Sequence, residues 1–201
     1  MTRHVSRLTR STKRAIDLTL ALILAVCAAP FMLLTAVMIA LESGFPVLYC
    51  QERVGESGRT FTLCKFRSMR KDAENGRPVW ATDGDQRVTR VGRFIRLTRL
   101  DELPQIWNIL RGDMSFVGPR PERPFFVAEL AKDIPFYMQR HAVKPGLTGW
   151  AQVKYRYGAS IEDAMEKLRY DLYYIKHLSV FFDLTIVFDT VKVVLFRKGA
   201  A

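Results

Sequence analysis

The chain has 201 residues, which is enough for one folded domain with an additional segment. Its 49% hydrophobic content excludes a disordered basic tail, because such tails are poor in apolar side chains. A formal net charge of +11 and a single long uncharged stretch indicate a folded basic protein with one lipid-seeking segment. A polytopic membrane protein is excluded, since it would need several such stretches.

The uncharged stretch covers residues 18–41 and is long enough to cross a bilayer as a helix. Pro30 lies in its middle, where it removes a backbone donor and breaks or kinks a helix. Basic residues flank both sides, with Lys13 and Arg14 before the stretch, whereas a spanning helix has an excess of lysine and arginine at one end. This pattern favours a re-entrant hairpin in one leaflet, with a kinked transmembrane helix as the alternative. Asp17 either pairs with a basic neighbour or is solvated.

The three cysteines, Cys27, Cys50 and Cys64, are odd in number and lack C-x-x-C spacing. This pattern predicts neither a disulfide framework nor a zinc site. We expect thiols that pack as small hydrophobic side chains in a reducing compartment. The histidines are scattered along the chain and are expected at surface or structural positions: His4, His141 and His177.

The remaining elements follow in chain order. Residues 47–53 and 60–66 favour β-structure and are joined through glycines, which predicts a hairpin. Residues 71–86 read as a loop, and two helices are predicted after it, the second ending at Gly112. Further helical pieces are predicted over 125–131, 135–142 and 161–176, with loop and extended chain over 144–157.

The last apolar segment, residues 180–196, contains three charged side chains: Asp183, Asp189 and Lys192. These charges argue against a second membrane span and favour an amphipathic helix in the membrane interface, with ordinary core packing as the alternative. The predicted fold class is therefore α+β, mostly helical with a small β-hairpin. It includes an N-terminal re-entrant (broken) membrane helix and a C-terminal interfacial helix.

Asp101 and Glu102 are adjacent carboxylates that directly precede a Leu-Pro pair. Because proline favours the first turn of a helix, the two residues are expected at a helix N-terminus, which favours ionised carboxylates and bound phosphate. Mg²⁺ is suited to sites between such carboxylates and a diphosphate. An ionised carboxylate near an activated phosphorus can act as a nucleophile and form an acyl phosphate. Helix capping alone favours the same residue types.

Arg120 lies in a Gly-Pro-Arg-Pro run, where prolines on both sides fix the backbone. A guanidinium on a rigid loop can bind phosphate oxygens in bidentate fashion, although a solvated arginine in a proline-rich turn fits the same sequence. Lys65 and Arg67 at the second predicted strand are further candidates for phosphate contacts. Arg156, in a later loop, is another.

Several blocks occur in a characteristic order: KFRSM at 65–69, LDELPQ at 100–105, GDMSFVGPRP at 112–121, KPGLTG at 144–149 and DLYY at 171–174. With Lys13 and Arg14 before the kinked apolar run, they resemble the bacterial sugar transferases, the monotopic phosphoglycosyl transferases. The resemblance covers residues 11–197 approximately, which is nearly the whole chain.

The resemblance implies transfer of a sugar 1-phosphate from a UDP-sugar to a polyprenyl phosphate such as undecaprenyl phosphate. UMP is released, and the product initiates exopolysaccharide, O-antigen or other glycoconjugate assembly. By likeness, Asp101 is the nucleophile that forms a phosphosugar–enzyme intermediate. Glu102 then helps to hold Mg²⁺ together with Asp101, or manages the proton and charge around it, and Arg120 clamps phosphate. Three further residues match positions that line the family's active site: Lys65, Arg156 and Asp171.

The family's hydrophobic helix is re-entrant, in agreement with the flanking charges. Related chains often have serine before the helix-breaking proline, but Ala29 precedes Pro30 here, so the break must depend on the proline and its surroundings. We expect a membrane unit over residues 1–42 and a cytoplasmic catalytic domain with membrane-interface helices over 43–201. Larger relatives carry additional N-terminal helices and a soluble domain, so the chain is either a minimal catalytic form or an excised core.

The expected partners are a UDP-sugar, a polyprenyl phosphate and the lipids of the bacterial inner membrane at its cytoplasmic face. Homodimerisation is left open, as are the sugar and the polyprenol. An ordinary glycosyltransferase, which would release UDP, is one rival. The other is a non-catalytic binder of membrane or nucleic acid, whose binding would weaken steeply with salt. No nucleic-acid partner is expected, because the basic residues do not form one stripe with interleaved aromatic residues.

Overall fold

The computed structural model describes residues 7–73, 85–155 and 160–195. Within these ranges the chain is mostly helical, with two small two-stranded sheets, as the predicted fold class requires. The helices are α1 Arg7–Ser43, α2 Arg90–Leu97, α3 Ile106–Arg111, α4 Pro124–Asp133, α5 Trp150–Lys154, α6 Ile161–Lys176 and α7 Val180–Leu195. The strands are β1 Leu48–Val54, β2 Thr60–Phe66, β3 Ser115–Val117 and β4 Gly146–Thr148. Short 3-10 helices cover Glu56–Gly58, Leu100–Gln105 and Tyr137–Ala142.

The two sheets differ in how well the sequence anticipates them. β1 and β2 form the predicted antiparallel hairpin, with Leu48 opposite Phe66. β3 and β4 pair in parallel within segments where we expected no strand pairing. The parallel pair requires glycine, because a Cβ on Gly146 would lie 2.1 Å from the Gly118 amide nitrogen. Each of these strands has only three residues, which is too short for a recognisable alternation of apolar and polar side chains. The sequence therefore does not reveal the pair.

Cys50 and Cys64 form a disulfide, so the expectation of unpaired thiols at these positions is wrong. The two residues are directly opposite each other in the β1–β2 register. Only strand register brings them together, and no C-x-x-C spacing announces such a pair. Cys27 is a free thiol that is exposed on α1.

Helix α1 is a single 37-residue helix that continues through Pro30. Both Pro30 and the preceding Ala29 are exposed. Among the described residues it is the one helix long and apolar enough to cross a membrane by length and composition, with a mean hydropathy of 2.6 in its most apolar window. The expected break at Pro30 does not interrupt the helix. The structure shows a long apolar N-terminal helix.

One face of α1 is buried along nearly the whole helix. The buried residues repeat every three or four positions or a multiple of this spacing, as one side of a helix does: Asp17, Ala21, Ala28, Thr35 and Ile39. The first half of this face packs against Ile106 and Ile109 of α3. The second half packs against Phe66 of β2 and Ile95 of α2. The opposite face exposes large apolar side chains: Leu22, Ile23, Val26, Phe31, Leu33, Leu34, Val37 and Leu41.

Polar bonds hold both ends of α1 to the rest of the protein. Lys13 Nζ donates to the last carbonyl of β3 at 3.0 Å and lies 2.5 Å from Asp183 of α7. Arg14 Nη1 donates to a carbonyl near the end of α3 at 2.6 Å. At the other end, Glu42 Oε1 accepts the first backbone N–H of α2 at 2.9 Å. Lys13 and Arg14, which we expected at the membrane entrance, therefore bind protein groups.

Asp17 was expected either to pair with a basic neighbour or to be solvated, and the structure shows a third arrangement. Its Oδ1 accepts hydrogen bonds from the Ser115 hydroxyl and the Phe116 amide, both at 3.1 Å. The side chain is buried and tethers α1 to β3. A carboxylate with two such donors can be buried in contact with an apolar helix face without an ion pair.

Helix α7 both packs into the core and presents an apolar stripe. Ile186 is fully buried against Tyr174 of α6. Four residues spaced by three or four positions are exposed on the other side: Phe181, Leu184, Phe188 and Val191. Core packing therefore accounts for one face of α7, and the interfacial alternative stays a prediction for the exposed face.

Candidate active site

The adjacent carboxylates lie in the 3-10 helix Leu100–Gln105, directly before α3. This agrees with the expected place of the pair at or just before a helix N-terminus, with Pro104 inside the same 3-10 helix. The predicted end of α3 is confirmed, since Gly112 follows it in the left-handed conformation with φ 95°. The 3-10 turn packs on the β1–β2 hairpin and on α1, so its carboxylates are held between the hairpin and the long helix.

Asp101 is the more buried of the two carboxylates, with 7% of the residue exposed. Its Oδ1 is buried and has no hydrogen-bond partner among the described residues. Burial, with the added charge of Glu102, raises the pKa of Asp101 to about 6 against the attraction of Lys65 and nearby arginines. An oxygen of this kind is poorly solvated and unblocked by protein donors, which suits a nucleophile or a ligand of a cation.

Glu102 has a different environment from its neighbour. Its Oε1 lies 3.0 Å from Arg120 Nη2 and 3.7 Å from Arg99 Nη1. Burial raises the pKa of Glu102, but the charges of Arg120 and Arg99 outweigh burial and the pKa is lowered. Glu102 is therefore ionised while Asp101 titrates closer to neutrality, and such divergent pairs are typical of sites that perform acid–base or nucleophilic chemistry.

Lys65 contributes positive charge from near the end of β2, the second strand of the hairpin. It lies on β2, with Nζ 5.7 Å from the centre of the Tyr49 ring. Burial lowers the pKa of Lys65 to about 8, although the charge of Asp101 favours the protonated form. The electrostatic attraction between a partly buried lysine and a nearby anion is stronger than that of an exposed lysine, because water screens the two charges less.

The loop that carries Arg120 is fixed by donors to its backbone. The Arg120 carbonyl accepts from Arg140 Nη2 at 2.9 Å, and the Pro121 carbonyl accepts from Arg53 Nη1 at 3.1 Å. The Pro119 carbonyl accepts the Gly146 amide of β4 at 2.9 Å. The side chain of Arg120 is nevertheless 47% exposed, so a rigid backbone presents an accessible guanidinium beside Glu102.

Asp171 lies one layer behind this loop. It is buried and forms an ion pair with Arg140, whose Nη2 is 2.8 Å from Asp171 Oδ2. Burial raises the pKa of Asp171, against the opposing charge of Arg140. Arg140 in turn holds the Arg120 carbonyl. Asp171 thus supports the Arg120 loop through Arg140 and does not itself face the two carboxylates.

Comparison with known proteins decides the family. The family described as Bacterial sugar transferase matches residues 8–197. The chain belongs to this family.

Individual relatives are similar to this chain over most of its length. It is 50% identical over 188 residues to an Aeromonas hydrophila protein named UDP-N-acetylgalactosamine-undecaprenyl-phosphate N-acetylgalactosaminephosphotransferase, covering 94% of this chain and 44% of that protein. It is 43% identical over 194 residues to the undecaprenyl-phosphate glucose phosphotransferase of Komagataeibacter xylinus, covering 94% and 36%. A Caulobacter vibrioides UDP-glucose:undecaprenyl-phosphate glucose-1-phosphate transferase is 42% identical over 190 residues, covering 94% and 71%. The chain spans less than half the length of the first two relatives.

One of the predicted substrate-binding residues, Arg67, makes its contacts elsewhere in the fold. Arg67 is buried, and its guanidinium donates to the carbonyls of Ser43 at 3.0 Å, Gly44 at 2.5 Å and Pro46. Arg67 directly follows β2, which ends at Phe66, and its guanidinium donates to the end of α1 and to the turn after that helix. This corrects the expectation of a phosphate contact. Arg156 lies outside the described residues.

Three arginines near the transferase site were not singled out from the sequence. Arg53 and Arg140 hold the Arg120 loop, and Arg99 contacts Glu102. Arg99 directly precedes the LDELPQ block, and this adjacency was an available signal. Arg53 and Arg140 are distant in sequence from the residues they hold, so only the folded structure identifies them.

The two carboxylates are suited to one hard cation. Among the described residues no cluster of three or more His, Cys, Asp or Glu side chains could hold a metal ion by itself. Mg²⁺, however, is commonly bound by one or two carboxylates together with substrate phosphates and water. The unpartnered Oδ1 of Asp101 beside the ionised Glu102 fits that arrangement.

His141 is buried behind the Arg120 loop, and its Nε2 has no hydrogen-bond partner among the described groups. Burial and the charge of Arg140 lower the pKa of its imidazole to about 4, against a weaker opposing effect of the Gly55 backbone. In the unfolded chain the imidazole has its ordinary pKa of 6.5. Between these two values the unfolded state binds a proton that the folded state does not, so stability is lost as pH falls.

We therefore expect His141→Asn to flatten the acid side of the stability profile. The wild-type free energy of unfolding should fall by about 2–4 kcal/mol more than that of the variant between pH 6.5 and 4. Urea unfolding at a series of pH values measures this difference. His177→Asn, at an exposed position, is the matched control and should retain the wild-type slope. Parallel profiles for wild type and His141→Asn would contradict the burial argument.

Proposed function

We propose that this chain transfers a sugar 1-phosphate from a UDP-sugar to a polyprenyl phosphate and releases UMP. The observation that carries the proposal is Asp101, a buried carboxylate with an unblocked oxygen beside ionised Glu102 and surrounded by cationic side chains. The names of the Aeromonas and Caulobacter relatives describe transfer of this kind to undecaprenyl phosphate. By this reading the reaction begins exopolysaccharide, O-antigen or other glycoconjugate assembly.

The proposed chemistry has two displacements at phosphorus. A carboxylate oxygen of Asp101 attacks the phosphorus that bears the sugar. The bond between this phosphorus and the bridging oxygen of the diphosphate breaks, and UMP leaves with the electron pair of that bond. An oxygen of the polyprenyl phosphate then attacks the same phosphorus, and the Asp101 carboxylate is released as the sugar-bearing lipid diphosphate forms. Arg120 and Lys65 balance the phosphate charge, which would otherwise repel the attacking carboxylate. A pKa of about 6 leaves Asp101 mostly ionised at neutral pH.

We propose Mg²⁺ as the cofactor, held by Asp101 and Glu102 with substrate phosphate completing its coordination. The ion supplies charge neutralisation at the diphosphate. The protein residues supply the nucleophile, the phosphate contacts and the rigid loop that presents Arg120.

For localisation, we propose monotopic attachment to the cytoplasmic face of the bacterial inner membrane. Both ends of α1 are bonded to the same catalytic body, so a straight crossing would require one end to detach. The exposed apolar faces of α1 and α7 are suited to lipid, in keeping with a re-entrant unit over residues 1–42 and a catalytic unit over 43–201. Such attachment places Asp101 within reach of a lipid phosphate at headgroup level.

Labelling of the two ends of α1 tests this topology. In a Cys27→Ser background, Arg10→Cys and Phe45→Cys each place a thiol at an exposed position flanking the apolar stretch. We expect a membrane-impermeant maleimide to label both in inverted inner-membrane vesicles and neither in intact spheroplasts. Labelling of the two positions from opposite faces would establish a transmembrane helix and refute the re-entrant arrangement.

Product analysis tests the reaction. The chain is incubated with Mg²⁺, polyprenyl phosphate and a panel of UDP-sugars that includes UDP-glucose, UDP-galactose and UDP-N-acetylgalactosamine. UMP release that depends on the lipid acceptor and on Mg²⁺ supports the proposal. UDP release would identify an ordinary glycosyltransferase, and absence of any nucleotide release across the panel would contradict enzymatic transfer from these donors.

A further inference from the structure

Arg99 has an unfavourable backbone conformation at the edge of the active site. It lies between α2 and the 3-10 helix, with φ 59° and ψ 15°, in the left-handed region that glycine normally occupies. Ser57 and Phe136 are the other non-glycine residues with positive φ in the described chain. Strained backbone conformations of this kind cluster at functional sites, so a non-glycine residue in one of them beside the two carboxylates points to a role for its side chain.

The guanidinium of Arg99 shares a target with Arg120. Both contact Oε1 of Glu102, Arg120 at 3.0 Å and Arg99 at 3.7 Å. The Arg99 distance is an ion pair that is too long for a hydrogen bond, so Glu102 does not satisfy its N–H donors. The side chains of Arg99 and Arg120 are 46% and 47% exposed, against 13% for Glu102. Two accessible guanidiniums therefore lie within 4 Å of the same oxygen of a partly buried carboxylate.

The side chains around the two carboxylates carry more positive than negative charge, which favours the binding of an anion. Four positively charged side chains act on the two carboxylates, namely Lys65, Arg96, Arg99 and Arg120, against two negative charges when both carboxylates are ionised. A guanidinium with free donors and a local positive surplus is suited to charge-assisted bonds with phosphate oxygens.

We propose that Arg99 is a second phosphate-binding residue of this site and forms, with Arg120, a two-sided clamp next to Glu102. The inference rests on the proposed sugar-phosphate transfer. The phosphate can belong to the nucleotide donor or to the lipid acceptor. Arg99 adjoins Leu100, which packs against the buried cluster of Ile39, Phe66 and Ile95, so the backbone next to Arg99 is anchored to the core.

The test uses Arg99→Gly, because glycine adopts the left-handed conformation without strain. A purely conformational role for Arg99 predicts full activity in this variant, whereas phosphate binding predicts a loss of about 10- to 100-fold in kcat/KM. Phe136→Gly is the matched control, since it relieves the same strain at an exposed residue with φ 63° that contacts no proposed substrate group. It should keep wild-type activity, and both variants should unfold at or above the wild-type temperature.

Separate KM measurements identify the phosphate. A rise in KM for polyprenyl phosphate assigns Arg99 to the lipid acceptor, and a rise for the UDP-sugar assigns it to the donor diphosphate. Arg99→Lys should recover part of the affected KM, because it restores the charge without the planar fork. Folded Arg99→Gly with both KM values unchanged would overturn the inference. Absence of UMP release by the wild type would instead refute the underlying transfer reaction.

Discussion

Asp101→Asn is expected to lower lipid-dependent UMP release by at least about a thousandfold, because the amide cannot form the acyl phosphate. Single-turnover assays with radiolabelled UDP-sugar should also show no sugar-phosphate attached to the protein. Association with membranes should be unchanged, since Asp101 is buried and is not one of the exposed apolar residues of α1 and α7. Normal turnover by this variant would refute the assignment of Asp101 as nucleophile.

The same substitution should leave the fold intact or stabilise it. Burial raises the pKa of Asp101 to about 6, so at neutral pH the folded protein holds a charge that its surroundings disfavour. A neutral amide removes this penalty. Asp133→Asn, at an exposed position on α4, is the control and should change neither activity nor stability. A strongly destabilised Asp101→Asn protein would show that the carboxylate is structural.

Asp171→Asn is expected to lower the free energy of unfolding by about 3–5 kcal/mol, because it leaves Arg140 buried without a counter-charge. Denaturant unfolding in detergent micelles measures the change. Glu166→Gln is the matched control on the same helix, where Glu166 pairs with Arg169 at the surface. That exposed pair should contribute less than about 1 kcal/mol. Equal effects of the two substitutions would contradict the role of burial.

A double variant separates stability from positioning. Arg140→Met with Asp171→Leu replaces the buried ion pair by apolar side chains and should recover most of the stability lost by Asp171→Asn. Activity should remain low, because the Arg120 carbonyl loses its donor and the guanidinium of Arg120 is no longer held beside Glu102. A fully active double variant would show that Arg140 does not position Arg120.

The elements that could be predicted from the sequence have strong local causes. The β1–β2 hairpin follows from β-favouring residues around glycines, and Gly112 ends α3 because a left-handed cap is required there. The pair Asp101 and Glu102 was identified by its proximity to Pro104 and by the block that contains it. In each case neighbouring residues determine the conformation, so a short stretch of sequence contains the relevant information.

The features that were missed depend on distant parts of the chain. Cys50 and Cys64 meet because of the β1–β2 strand register. The Arg67 guanidinium donates to carbonyls at the end of α1, which is more than twenty residues earlier in the sequence. Asp17 finds its donors in β3, about a hundred residues away in sequence. Arg140 gains its role from the Arg120 backbone and from Asp171. No local pattern distinguishes these residues from surface charges or ordinary core thiols.

The bond between Lys13 and Asp183 has a consequence for biosynthesis. Its two ends are 170 residues apart in sequence, so it joins the first of the described helices to the last. Lys13 also holds the β3 carbonyl that directly precedes the Arg120 loop. The contacts that fix β3 beside the Arg120 loop are therefore completed only after α7 has been synthesised and has docked. A chain that stops before α7 would lack the partner that Lys13 has in Asp183.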